Sequence, residues 1–210
     1  MIFFIFENKF NNIDRHYLFP KADSIDFQEK IGLFKDWMND YKYLMIKSAY
    51  GTGKTYSVKE LIKLFGYKKI LFVSYRKSIT KSFTSELKDF EFKSYLDKSI
   101  DVNEVDRLLI QIDSIEKLHH IDEITQQLQD NEYDLVILDE VESILSHLSF
   151  EKINQFTCHN ALVNILNNSK KVISFDGDMG DRTYDFISDL SNEYKIYINS
   201  HKTTSKQFKV

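Results

Sequence analysis

Short apolar runs alternate with longer segments of helical spacing along most of the chain. The runs are rich in Ile, Val, Leu and Phe, and they predict strands at residues 44–46, 70–73, 108–112, 135–138, 172–175 and 196–198. Between them, apolar residues recur at helical spacing, as at Val58, Leu61, Ile62 and Phe65. Runs that are apolar throughout suit strands buried on both faces. The pattern predicts an α/β fold with a mostly parallel sheet of five or six strands and helices on both faces.

The segments outside this alternation differ in character. Residues 1–25 are aromatic-rich and irregular, and we interpret them as an N-terminal arm. Asp26 and Glu29 have the spacing of a capping box, which predicts a helix from Asp26 to about residue 39. Residues 115–133 are expected to be helical and polar, with or without one break, and residues 200–210 to form a tail or the start of a linker. One domain over residues 26–199 follows from this division.

Length and charge limit the kind of protein. The 210 residues suit a single domain. The formal net charge of −4 excludes a wholly basic surface, so any binding to nucleic acid must come from local patches. The single cysteine, Cys158, is expected to be a buried thiol and agrees with a reducing compartment. Since no run approaches the roughly 20 apolar residues of a membrane span, we expect a soluble, intracellular protein.

The most informative motif is residues 47–55, which read Lys-Ser-Ala-Tyr-Gly-Thr-Gly-Lys-Thr between a predicted strand and a predicted helix. Glycines at this spacing allow backbone N–H groups to form a concave anion site at a helix N-terminus. The lysine reaches the β- and γ-phosphates of a nucleotide, and the last hydroxyl completes a Mg²⁺ shell. Ser48 replaces the first glycine of the commonest pattern. The predicted ATP contacts are Ser48, Tyr50, Gly51, Thr52, Gly53, Lys54 and Thr55.

A second motif is the acidic pair Asp139 and Glu140, which ends the apolar run 135–138. Carboxylate oxygens suit Mg²⁺, which keeps several waters and takes one or two carboxylates. We therefore expect Thr55 and Asp139 to hold Mg²⁺, and Lys54 and Glu140 to be catalytic, with Glu140 orienting or deprotonating the attacking water. The alternative is an acidic helix cap after a strand, since a helical stretch follows.

Together these motifs resemble the first RecA-like domain of superfamily 2 helicases. Residues 48–55 are similar to helicase motif I, and residues 139–142 to motif II of the DExx type. Residues 71–80 and 109–115 resemble segments of the herpesvirus-type replication-origin-binding helicases, the first as their motif Ia and the second as their Gln-x-(Glu/Asp)-Ser segment. The resemblance spans about residues 43–199. Members of this family occur in herpesviruses, giant DNA viruses and some plasmids, so it implies a viral or plasmid source.

The resemblance also implies contacts with DNA and a coupling element. DNA contacts are expected at Tyr75, Arg76, Lys77 and Ser78, and at Gln111 and Ser114. The alternative for the first group is an ordinary solvated basic helix face. Asp176, Gly177 and Asp178 stand in the place of motif III, which couples hydrolysis to DNA movement, although the same residues also suit a simple turn. Gln28 stands where many such helicases use a glutamine to read adenine, and it equally suits a surface helix.

The implied function is a Mg–ATP-binding N-terminal lobe of a DNA helicase or replication-origin-binding protein, with single-stranded or origin DNA as partner. Only eleven residues follow residue 199, which leaves no room for a second RecA-like lobe with its arginine finger. We therefore expect hydrolysis to be slow or absent unless a second subunit or chain supplies that lobe. Two alternatives stay open: a non-catalytic nucleotide- or DNA-binding replication module, and another P-loop NTPase such as a translocase component.

Overall fold

A computed structural model of the chain describes residues 10–13, 32–118, 120–121, 128–129, 132–149 and 153–201. In this part of the chain, eight strands form one sheet in the order β1-β10-β2-β9-β8-β3-β5-β4, and every neighbouring pair is parallel. The strands of this sheet are β1 Phe10–Ile13, β2 Tyr43–Lys47, β3 Ile70–Ser74, β4 Lys93–Ser94, β5 Arg107–Gln111, β8 Leu135–Asp139, β9 Lys171–Asp176 and β10 Tyr194–Asn199.

The six predicted strands are confirmed, and the sheet is larger than expected by two edge strands. β1 pairs with β10 although half of its residues are asparagine, and β4 pairs with β5 over only two residues. Neither strand carries a continuous apolar run, because an edge strand needs less burial than a central one. β1 also brings part of the segment assigned to an arm into the sheet.

Helices cover both faces of the sheet. They are α1 Lys35–Asp40, α2 Lys54–Phe65, α3 Lys77–Glu86, α4 Val141–Leu148, α5 Ile153–Asn168 and α6 Asp181–Leu190. The side chains of β8 alternate between the two faces of the sheet. Val136 and Leu138 pack on the face covered by α4, α5 and α6. Leu135 and Ile137 pack on the face covered by α1 and α2. No helix within the described ranges is long and apolar enough to cross a membrane.

The expected helix over residues 115–133 is wrong at the residues that the structure describes after Leu118. A 3₁₀ helix covers Ile112–Leu118, and its first, fourth and seventh residues are buried, which matches the three residues per turn of that helix. His120–Ile121 then pairs antiparallel with Leu128–Gln129 as strands β6 and β7. Polar composition without strong periodicity concealed this change of structure.

The helix expected from Asp26 is described only in its last part. A 3₁₀ turn at Gly32–Phe34 leads into α1, and the buried Trp37 of α1 donates its indole N–H to the Lys42 carbonyl at 3.1 Å. The proposed capping box and Gln28 lie outside the described residues.

Strand register brings the motif residues to one edge of the sheet. Lys47 at the end of β2 pairs with Asp176 of β9, and Ser74 at the end of β3 pairs with both Asp139 of β8 and Gln111 of β5. Since parallel strands all end at the same edge, the segments that follow these residues meet there.

Candidate functional site

The loop after β2 has the backbone conformation of an anion-binding turn. Gly51 and Gly53 have φ values of 79° and 78°, in the left-handed region that side-chain-bearing residues rarely adopt. The Gly53 carbonyl accepts the Ser57 N–H at 2.8 Å, so α2 begins directly behind the loop. The N-terminus of α2, with its positive dipole end, therefore points towards the loop.

Lys54 holds its ammonium group against the same loop. Its Nζ donates to the Ser48 carbonyl at 3.0 Å and to the Ala49 carbonyl at 3.4 Å. These two carbonyls keep the cation at the loop, where the oxygens of an incoming phosphate would be its natural charge partners.

Seven of the predicted site residues line a single cleft of about 410 Å³: Tyr50, Gly51, Gly53, Lys54, Thr55, Asp139 and Glu140. The opposite wall is formed by α3, through Ile79, Ser82, Phe83 and Glu86. This second wall was missed in the sequence, although its i, i+3, i+4, i+7 spacing on a predicted helix is the signal that could have found it. The cleft has a cationic side at Lys54 and an acidic side at the end of β8, as a nucleotide with a divalent cation requires.

Asp139 is the most perturbed carboxyl group at this edge. Its pKa is raised to about 6, chiefly by burial; the nearby carboxylates of Glu140 and Asp176 contribute to the rise, and the Lys54 ammonium opposes it. A cation at Asp139 would relieve this cost. In the described ranges, no group of three or more His, Cys, Asp or Glu side chains is arranged to hold a metal ion, so Mg²⁺ here would rely on Asp139, the Thr55 hydroxyl, water and phosphate oxygens.

Glu140 leaves the strand in an unusual backbone conformation. Its φ of 56° and ψ of 51° lie in the left-handed region, and it immediately precedes α4. A glutamate gains nothing locally from this conformation, which costs about 1–2 kcal/mol for an L-residue. Such strain persists where surrounding structure imposes it, and it is concentrated at functional sites.

Asp176 connects the phosphate loop to the acidic motif. Its main-chain carbonyl accepts the Ser48 N–H at 2.8 Å. Its buried carboxylate accepts the N–H of Glu142 at 2.9 Å and that of Asp178 at 2.8 Å. Gly177 lies within the turn that this last bond closes. The geometry therefore contains both the expected turn and a bridge between the two motifs.

Glu142, the last residue of the motif II segment, extends this bridge to α6, although the sequence suggested no individual role for it. Its Oε1 accepts the Gly180 N–H at 2.9 Å, the Thr183 N–H at 3.1 Å and the Thr183 hydroxyl at 2.7 Å. Burial opposes its ionisation, but these bonds and the Arg182 guanidinium together hold the pKa of Glu142 below its ordinary value. α4 and the N-terminus of α6 are thus fixed to one another.

The first group of expected DNA contacts lies together at the carboxyl edge of the sheet. Arg76, Lys77 and Ser78 are exposed at the start of α3. Tyr75 is half-buried, and the Arg76 guanidinium carbon lies 5.4 Å from the centre of its ring. A cationic group at a helix N-terminus suits phosphate oxygens.

The second group is placed differently. Gln111 is buried, and its Nε2 donates to the Tyr75 carbonyl at 3.3 Å and to Asp113 Oδ2 at 2.8 Å, while its Oε1 accepts the Tyr95 hydroxyl at 3.0 Å. The Ser114 side chain is hydrogen-bonded with the same Tyr95 side chain. Gln111 therefore supports the loop that carries Tyr75, and Ser114 is held by the Tyr95 side chain.

Comparison with known proteins identifies the family. Residues 21–209 match the family described as "Origin of replication binding protein". The chain belongs to this family. The resemblance inferred from the motifs is therefore confirmed.

Two relatives come from Acanthamoeba polyphaga mimivirus. The chain is 33% identical over 189 residues to "Uncharacterized putative helicase R8", covering 85% of the chain and 18% of that protein. It is 29% identical over 211 residues to "Putative replication origin-binding protein", covering 95% of the chain and 26% of that protein. The chain thus spans only a small part of the length of these relatives.

The fold is that of helicase RecA-like domains. The structure of the DEAD-box helicase Mss116 bound to ssRNA and UDP-BeF superposes with a TM-score of 0.57 at 15% identity, over 91% of this chain and 47% of that one. At this identity the likeness concerns the fold alone. The predicted α/β architecture of a single parallel sheet covered by helices is confirmed.

Proposed function

We propose that the chain is a Mg–ATP-binding RecA-like lobe of a DNA helicase that acts in replication, with the ATP-binding domain over residues 26–199. The observation that carries this proposal is the cleft at the carboxyl edge of the sheet, where Lys54, Thr55, Asp139 and Glu140 converge behind a loop with two left-handed glycines. Membership of the origin-binding family supports a role in replication.

Each residue of the cleft has a distinct role in this proposal. Lys54 exchanges its contacts with the loop carbonyls for phosphate oxygens, and the N-terminus of α2 adds backbone N–H donors. Asp139 and Thr55 hold Mg²⁺, which neutralises charge on the transferred phosphoryl group. Glu140, strained and exposed beside Asp139, orients the attacking water and accepts its proton.

The DNA surface in this proposal is the exposed start of α3. Arg76 and Lys77 bind phosphates through charge, which predicts salt-dependent contact that is largely independent of sequence. The same helix lines the nucleotide cleft with Ser82 and Phe83, so one rigid element touches both ligands. This shared helix supports coupling between nucleotide and DNA.

Turnover is proposed to need a second RecA-like lobe, because phosphoryl transfer in related motors uses an arginine finger worth about 10³-fold or more. The longer relatives leave ample chain for such a lobe. It is supplied either by a longer protein that contains this lobe or by a separate chain.

ATP hydrolysis tests the proposal. The purified chain is assayed with Mg²⁺, with and without single-stranded DNA, and Glu140→Gln is the control. DNA-stimulated turnover that the variant lacks would support a complete site formed by self-association. Binding without turnover would indicate a half-site, and the assay is then repeated with a chain carrying the second lobe. If turnover stays absent in that complex, the function is a non-catalytic binding module.

A further inference from the structure

A buried chain of side-chain hydrogen bonds joins the phosphate loop to the last strand of the sheet. Asn199, at the end of β10, donates from Nδ2 to Ser48 Oγ at 2.9 Å. Ser48 Oγ lies 2.8 Å from Thr52 Oγ1, and the Thr52 hydroxyl donates to the Ala49 carbonyl at 2.8 Å. Asn199, Ser48 and Thr52 are 8%, 1% and 0% exposed. The loop is therefore held from the interior side by polar residues that are more than nine-tenths buried.

The direction of this relay follows from the number of protons. A hydroxyl group carries one proton, and that of Thr52 is used on the Ala49 carbonyl. Thr52 must therefore accept from Ser48, and Ser48 in turn accepts from the Asn199 amide. The relay runs from Asn199 through Ser48 and Thr52 to the Ala49 carbonyl, which Lys54 Nζ also approaches. Hydrogen bonds aligned in this way polarise one another.

Ser48, at the start of the loop, is hydrogen-bonded to the strands on both sides of β2. β2 lies between β10 and β9 in the sheet. The Ser48 N–H donates to the Asp176 carbonyl of β9 at 2.8 Å, while its hydroxyl accepts from Asn199 of β10. Asn199 Oδ1 accepts the His201 N–H at 3.2 Å, so the backbone that follows β10 is part of the same network.

We propose that Asn199 is a positioning residue for the phosphate loop and acts through Ser48 and Thr52. This inference rests on the proposed nucleotide site. It gives the departure at Ser48 a physical reason, because the glycine usual at that position has no hydroxyl to relay the bond. It also links the shape of the loop to the backbone at His201.

The test begins with Asn199→Ala and, as a control, Asn160→Ala at an exposed position on α5. Amide hydrogen exchange of the nucleotide-free protein should become faster in residues 49–53 of the Asn199 variant, with no change in the strands of the core. Its Kd for MgADP should rise about tenfold, since a buried hydroxyl loses its partner. Unchanged exchange in the loop would overturn the inference.

Ser48→Gly provides a second variant that breaks the same relay without adding bulk. Its effect on Kd and that of Asn199→Ala should not add, because either change alone interrupts the chain. Additive effects would show that the two residues act separately and would refute the relay. If the unaltered chain binds no MgADP, the proposed function fails, whereas the exchange measurement still decides whether Asn199 orders the loop.

Discussion

Replacing Asp139 with asparagine should stabilise the metal-free protein while it removes a proposed Mg²⁺ ligand. Burial raises the pKa of Asp139 from its ordinary 3.8 to about 6. Because the pKa is higher in the folded protein, folding favours the protonated carboxyl group. The free energy of unfolding is therefore highest below pH 3.8, falls as the pH rises, and reaches its lower value above about pH 6. At about 1.4 kcal/mol per pH unit, the ionised group costs up to about 3 kcal/mol at neutral pH.

Asparagine keeps the shape of the side chain and carries no charge, so the variant escapes this cost. Urea unfolding in the presence of a chelator should show Asp139→Asn to be more stable by about 1–3 kcal/mol at about pH 7.5, with roughly half that gain at about pH 5. In the same variant, Mg²⁺ should no longer strengthen nucleotide binding. A less stable variant, or a gain that does not change with pH, would refute the electrostatic reasoning about this carboxylate.

Two further predictions concern the neighbouring motif and the DNA surface. Glu140→Gly should be about 1 kcal/mol more stable than Glu140→Gln in chemical unfolding, because glycine adopts the left-handed conformation without strain; equal stability would argue against strain at this position. Arg76→Ala with Lys77→Ala should weaken single-stranded DNA binding and flatten its salt dependence in fluorescence anisotropy. The matched control, Lys88→Ala with Lys93→Ala, removes the same charge near the amino ends of β3 and β5, and it should leave DNA affinity and its salt dependence unchanged. If the two double variants lost DNA affinity equally, a DNA surface at α3 would be contradicted.

The parts of the fold that the sequence predicts well are those with a strong local signal. Central strands are buried on both faces and must be apolar throughout, so all six runs were recognisable. The phosphate loop was equally easy to recognise in the sequence, because the positive φ values at positions 51 and 53 favour glycine. Edge strand β1 and the 3₁₀ helix at Ile112–Leu118 lack such signals and depend on pairing and packing with distant segments.

In the candidate site, too, residues in local motifs were predictable, whereas contacts between distant segments were not. Lys54, Thr55, Asp139 and Glu140 were predicted from adjacent residues in motifs, and the structure places them in one cleft. The bonds made by Asn199 depend on a contact between residues 151 positions apart, which a single sequence does not reveal. The motif alone suggested that Gln111 contacts DNA. Only the tertiary structure shows that its amide group is hydrogen-bonded to Tyr75 and Asp113 of the same chain.

The central claim is that Mg–ATP binds in the cleft behind the phosphate loop. Isothermal titration of the chain with Mg²⁺ and a non-hydrolysable ATP analogue tests it directly, with Lys54→Ala as the comparison. The account predicts saturable binding at one site per chain, with affinity reduced at least about tenfold in the variant because a charge-assisted contact with phosphate is lost. Equal affinity in the two proteins, or heat that does not saturate, would contradict it.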